Sequence, residues 1–289
     1  LTQVHQTPCR TLTYAVTNLP TNTSQICIRA GPDGVFNSCN GTETLLLSSK
    51  NIRETFVNIS GCGKLVTYMC FINAFGDRSQ INGIVSFSNL IFNHTKLNLF
   101  NISVTFQDCV FIGTVISDNL NFNISKSNTF VHFHDVFWSR HNETFESNKI
   151  IFIKTYSLHF IVHNASLVDA SFHFACIHCS LNFENVEIFS KIEHNFRNVF
   201  IISKQVTDVL FISRNILTFK NISVLPNFGS VDGNMVTFLE LNIENIVVHI
   251  QNSLFKNLRR LINFDTRQRI DTYYGHFGAI EISNCIVRF

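Results

Sequence analysis

The chain has 289 residues, 45% of them apolar and 15% charged, with a formal net charge of +2. This composition supports a large buried core and excludes a disordered chain. The near-neutral charge leaves no footprint for nucleic acid or an acidic membrane surface, and no apolar run approaches the ~18 residues that span a bilayer.

The 30 Phe and 33 Asn set the local structure. Phe and Ile favour strands, Asn and Ser favour turns, and Ala, Leu and Glu form no long stripes of helical period. The opening residues, LTQVHQTPCR, lack the basic-then-apolar order of a signal peptide and start without Met, as expected after a leader is removed. Within CRTLTYAV (9–16) a short amphipathic helix is predicted, with Leu12, Ala15 and Val16 on one face. Next come ICIRAGPDG (26–34), a strand entering a Gly-Pro-Asp-Gly turn, and the cysteine-rich FVNISGCGKLVTYMCF (56–71). Residues 1–80, with five of the nine cysteines, are expected to form an N-terminal cap and first coils; residues 81–289 continue the same domain.

From about residue 81 a unit recurs: apolar, any, apolar, any, Asn or Asp, then two residues and another apolar. It reads VSFSNLIF (85–92), VTFQDCVF (104–111), VHFHDVFW (131–138), FIVHNASL (160–167), LNFENVEI (181–188), LTFKNISV (217–224), VHIQNSLF (248–255) and AIEISNCIV (279–287). The polar anchors are Asn89, Asp108, Asp135, Asn164, Asn185, Asn221, Asn252 and Asn284. Short strands that each turn at a small polar residue bury their apolar face only when successive coils stack. Asn and Asp tolerate left-handed geometry, so each anchor is predicted to sit at a coil corner with its side chain outward. An antiparallel β-sandwich is the rival, but hairpin dipeptides are few, chiefly Asn82-Gly83 and Asp232-Gly233.

The pattern resembles the all-β, right-handed parallel β-helix of pectate-lyase-like proteins and extracellular repeat proteins, with CRTLTYAV as the capping helix. Enzymes of that group act on acidic polysaccharides, so the resemblance implies a search for their motifs. Asn-Thr-Asp, Asp-Asp, Gly-His-Gly and Arg-Ile-Lys are all absent, and Arg269-Ile270-Asp271 is the nearest fragment. The Asp residues are scattered, with no close pair to seed a calcium site. No catalytic residue is therefore assigned and no cofactor is expected. The alternative is a carbohydrate-binding or polysaccharide-processing β-helix with carboxylates converging in a groove.

Nine N-x-Ser/Thr sequons, at Asn22, Asn40, Asn58, Asn93, Asn101, Asn123, Asn142, Asn164 and Asn221, compare with about five expected by chance from composition. With dispersed cysteines they point to a secreted or cell-surface setting. Disulfide candidates are Cys9, Cys27, Cys39, Cys62, Cys70, Cys176 and Cys179, with Cys62–Cys70 the predicted pair; Cys109 fits a small inward position. His132, His134, His141, His159, His163, His173 and His178 lie within 47 residues, beside Cys176 and Cys179. Stacked coils offer a zinc-compatible set there. The expected assignment is instead outward histidines beside inward Val and Phe, with Cys176 and Cys179 oxidised and no metal. Arg259-Arg260 and Arg267-Gln268-Arg269 are expected to be solvated surface. The chain stops within a strand unit, an open coil end expected to be covered by further polypeptide, another domain or a stacked subunit. The expected role is a structural, adhesive or recognition scaffold. Its expected partners are copies of itself or other extracellular proteins and glycans.

Overall fold

The computed structural model describes residues 11–18, 25–29, 33–36, 42–47, 56–62, 65–68, 70–76, 84–100, 102–117, 128–139, 151–190, 198–203, 215–226, 236–242, 246–256, 258–264 and 279–288. It is an all-β parallel β-helix preceded by one short helix. That helix, Leu12–Thr17, starts at Thr11, whose Oγ1 accepts from the Tyr14 amide at 3.2 Å. Leu12 and Val16 enter the core, while Ala15 is only half-buried.

One turn shows how the sequence makes a coil. Ile84–Ser88 runs in the first sheet, Asn89 turns the chain, Leu90–Asn93 runs in the second sheet, His94 turns again, and Lys96–Phe100 runs in the third. The next turn repeats this as Ser103–Gln107, Asp108, Val110–Ile112, Gly113 and Val115–Ser117. Each strand pairs in parallel with its counterparts above and below, as in Ser103↔Ile84, Val110↔Ile91 and Val115↔Lys96. Later turns fuse their segments. Ile151–Val168 and Phe172–Ser190 each run from the third sheet of one turn into the first and second sheets of the next, paired in register for nearly their full length.

The corners follow from the anchors. All eight have positive φ, from 50° at Asp108 and Asn252 to 56° at Asn185. In that left-handed region an ordinary L-residue pays for the close approach of Cβ to the following carbonyl, whereas Asn and Asp tolerate it. His94 (φ 48°), Gly113 (φ 56°) and Asp169 (φ 54°) form a second corner five residues after the first, which the recurring unit did not reveal.

Inward residues line up in columns. In the first sheet Phe87, Phe106 and Phe133 stack at 5.3 and 5.1 Å, nearly parallel. In the second sheet Phe92, Phe111 and Trp138 do the same at 5.0 and 4.6 Å. The two columns meet edge to face, as in Phe106–Phe111 at 5.3 Å and 76°, so the quadrupoles favour both contacts. The stacking breaks at the turn carrying Val162, Ala165 and Leu167, where a cavity of about 10 Å³ opens among apolar side chains including Phe133, Trp138 and Phe172. It resumes below with Phe183–Phe219 and Phe172–Phe200.

Small polar residues just after a corner tie consecutive coils together. The Thr114 hydroxyl donates to the Phe92 carbonyl at 2.9 Å, and the Ser253 hydroxyl accepts from the Ile222 amide at 3.1 Å. Cys109 occupies the same kind of position, fully buried, with Sγ 3.3 Å from the Gln107 carbonyl. Burial is the main reason its pKa is pushed up to about 12. Hardly any thiolate exists at pH 8, so Cys109 is expected to resist iodoacetamide in the folded protein and to react once denatured. Peptide mapping before and after denaturation checks this; equal native and denatured rates would show that the coil is open.

The sulfur pairing differs from the predicted Cys62–Cys70. Cys62 bonds Cys27, with a Cα–Cα distance of 5.2 Å, because Ile28 lies in register with Gly61 and places the two cysteines on adjacent coils. Cys70 is disulfide-bonded too, while Cys9 and Cys39 lie outside the described residues.

Candidate functional site

The outer face of the first sheet carries the densest chemistry. Val131 and Phe133 point inward and are buried, so alternation along Asn128–Ser139 sends His132 and His134 outward, half-exposed. His134 pairs in register with His163, and His163 with Glu184. The residue just before each anchor therefore forms a column: Gln107, His134, His163, Glu184, Lys220, Gln251. His132 belongs to the neighbouring column, opposite Ile161.

Three imidazoles meet here. Ring centroids are 5.5 Å apart for His132–His163, 6.2 Å for His132–His134 and 6.5 Å for His134–His163. Burial, then the charges on His163 and His134, hold the His132 pKa below the ordinary imidazole value. Its Nε2 is shielded from solvent and has no hydrogen-bond partner. Nδ1 of His134 lies 2.7 Å from Oδ2 of Asp135, close enough for an ion pair but without hydrogen-bond alignment. Nδ1 of His163 is 3.5 Å from Oε2 of Glu184, whose Oε1 accepts from Lys220 at 2.7 Å. The Lys220 hydrogen bond, reinforced by its charge, holds Glu184 below the usual carboxylate range.

The remaining histidines separate. His159 stacks on Phe130, with centroids 4.5 Å apart and planes within 3°, and burial lowers its pKa. His173 belongs to the third sheet and meets the Ser203 hydroxyl at 2.9 Å. His178 packs edge-on against Tyr156, and His141 lies outside the described residues. Cys176 and Cys179 are bonded to each other, with Cα atoms 5.8 Å apart, and both are buried. That bond removes both sulfurs from any zinc set. Among the described residues no three His, Cys, Asp or Glu donors already converge on a point.

The corner beside this face carries sequon asparagines. Asn164 and Asn221 are exposed, with φ of 53° and 54°. Between them lies Asn185, which belongs to no sequon. Asn185 Nδ2 donates to Asn164 Oδ1 at 3.1 Å, and Asn221 Nδ2 donates to Asn185 Oδ1 at 2.9 Å. The amides thus form a ladder, but on the outside of the rod. Asn58 and Asn93 are half-exposed; Asn58 Oδ1 accepts from the Ser88 hydroxyl at 3.4 Å. Asn22, Asn40, Asn101, Asn123 and Asn142 lie outside the described residues, as do Arg267, Arg269, Ile270 and Asp271. Arg259 and Arg260 are exposed, and Arg260 donates to Asn263 at 2.6 Å.

Sequence order alone does not show that Glu184 and Lys220, 36 residues apart, form a pair beside the histidines. Aligning the recurring units on their anchors does, since both then fall one position before the corner. No helix among the described residues is long and apolar enough to cross a membrane. Compared with protein-family models, curated proteins and solved structures, the chain matches none.

Proposed function

We propose that the chain is a secreted or cell-surface, N-glycosylated β-helix scaffold, a stiff rod that presents its outer first-sheet face to extracellular proteins or glycans. One observation carries the proposal: sequon asparagines 164 and 221 stand exposed at left-handed corners while the strands they join bury Val162 and Ala165 at one corner and Phe219 and Ile222 at the other. A corner lets a core-forming strand offer its Asn amide to solvent, as a glycan attachment point requires. The Cys27–Cys62 and Cys176–Cys179 disulfides fit an oxidising compartment. Columns of stacked apolar side chains supply the rigidity that a scaffold needs.

Glycopeptide mass spectrometry of the protein made in a eukaryotic secretory pathway tests this. Glycan release in heavy-oxygen water is expected to mark Asn164 and Asn221 and to leave Asn185 unmarked. Unmodified asparagines at both positions, with Cys27 and Cys62 reduced, would overturn the compartment and the role together.

A further inference from the structure

We infer that His132, His134 and His163 form a binding site for one divalent first-row transition ion, with zinc as the default. The inference is independent of glycosylation. Zinc–nitrogen bonds of about 2.0–2.1 Å at tetrahedral angles place imidazole ring centres about 5 Å apart. The three rings stand 5.5, 6.2 and 6.5 Å apart, so closing on an ion takes movements of roughly 0.5–1.5 Å beyond that reference. Half-exposed side chains on an outer sheet face can make them by turning about χ1 and χ2. Two histidines from alternate positions of one strand and a third from the adjacent strand put three donors on one side of the sheet.

Their surroundings point the same way. Oδ2 of Asp135 lies 2.7 Å from Nδ1 of His134 and Oε2 of Glu184 lies 3.5 Å from Nδ1 of His163, neither yet aligned as a hydrogen bond. Turning the rings to coordinate through Nε2 brings both Nδ1 atoms to these carboxylates. A carboxylate behind a ligating imidazole fixes its orientation and raises its basicity, a common outer layer of metal sites. Lys220 engages the other oxygen of Glu184 and holds that carboxylate in the outer layer. Nε2 of His132 is a shielded polar atom with no partner, which is costly as it stands and is satisfied by an ion. Three imidazole nitrogens suit zinc, cobalt, nickel and copper rather than calcium or magnesium, which prefer oxygen.

The test uses tag-free, full-length protein stripped with chelator and titrated with Co²⁺ by visible absorption, then with Zn²⁺ by calorimetry. One equivalent of Co²⁺ is expected to give the intense visible band of a tetrahedral site. His132→Ala and His163→Ala are each expected to weaken binding at least tenfold, and His132→Gln and His163→Gln likewise, with circular dichroism confirming the fold. Asp135→Asn is expected to weaken it about tenfold through loss of the outer layer. His159→Ala, which alters a neighbouring histidine outside the set, is expected to leave affinity unchanged. The inference is overturned by absence of a one-equivalent tetrahedral band, or by binding that survives loss of His132 or His163.

Discussion

Replacing Phe106 by Ala is expected to destabilise the protein by about 4–5 kcal/mol, near the top of the range for a buried aromatic. Phe106 is fully buried and stacks on Phe87 and Phe133, with edge contacts to Phe92 and Phe111 at 5.7 and 5.3 Å. Each ring pair adds about 0.5–1.5 kcal/mol beyond burial, and the truncation loses several at once. Partners held by hydrogen bonds on both flanking coils cannot collapse into the space. Phe137→Ala is the matched control, since Phe137 is 40% exposed on the outer surface; its expected cost is below about 1 kcal/mol. Urea titration followed by both far-UV circular dichroism and the fluorescence of Trp138 measures the difference. Trp138, the single tryptophan, extends the adjacent column, so coincident curves would show that the rod unfolds as one unit. A loss below about 2 kcal/mol would mean that the stack repacks, and would refute a rigid aromatic core.

Loss of the Cys27–Cys62 bridge ranks next. The bond joins residues 35 apart in sequence, and closure of a loop that long removes about 4 kcal/mol of denatured-state entropy. The Cys27→Ala, Cys62→Ala double variant is expected to lose most of that amount in urea titration. Cys176–Cys179 spans only three residues and has an entropic share of about 1.5 kcal/mol. Its main effect is to fill the interior with two buried sulfurs. A double variant at Cys27 and Cys62 within 1 kcal/mol of the parent would show that the first coils are held by packing alone.

The architecture was legible because one residue class marks its corners. A run such as LTFKNISV alternates Leu217 and Phe219 inward, then reaches an Asn that leaves the strand conformation, and so explains an exposed sequon beside a core strand. Asn221 joins a ladder of amides while staying at a corner, because the ladder is solvent-facing and takes one donor each from Asn185 and Asn221 and none from Asn164. The second corner was hidden because His94, Gly113 and Asp169 share a backbone state and no side-chain class. The Cys62–Cys70 prediction failed because proximity along the chain is a poor guide in a solenoid. Cys27 is one coil away from Cys62, and that coil takes more than thirty residues.

The histidine face was legible only in part. Alternation correctly sent His132 and His134 outward from VHFHD. Grouping histidines by sequence distance, however, put His173 with them, although the chain reaches His173 only in the third sheet. The contributions of Glu184 and Lys220 depend on inter-coil register, a property of stacked turns that no single unit encodes.

Because each coil bonds only to the coils directly above and below it, length is an adjustable quantity in this molecule. The interval from Asn89 to Asp108 is one closed turn, and its inward residues Phe92, Val104 and Phe106 match Tyr68, Val85 and Phe87 on one side and Phe111, Val131 and Phe133 on the other. Removing or duplicating such a turn shortens or extends the rod by about 4.8 Å and leaves every interior column filled. The outer surface changes character instead: excision of that turn would bring Ser88 directly beside His134. Lineages with this architecture therefore have a route to vary what they display on the outside, by gain or loss of whole turns, at little cost to the interior.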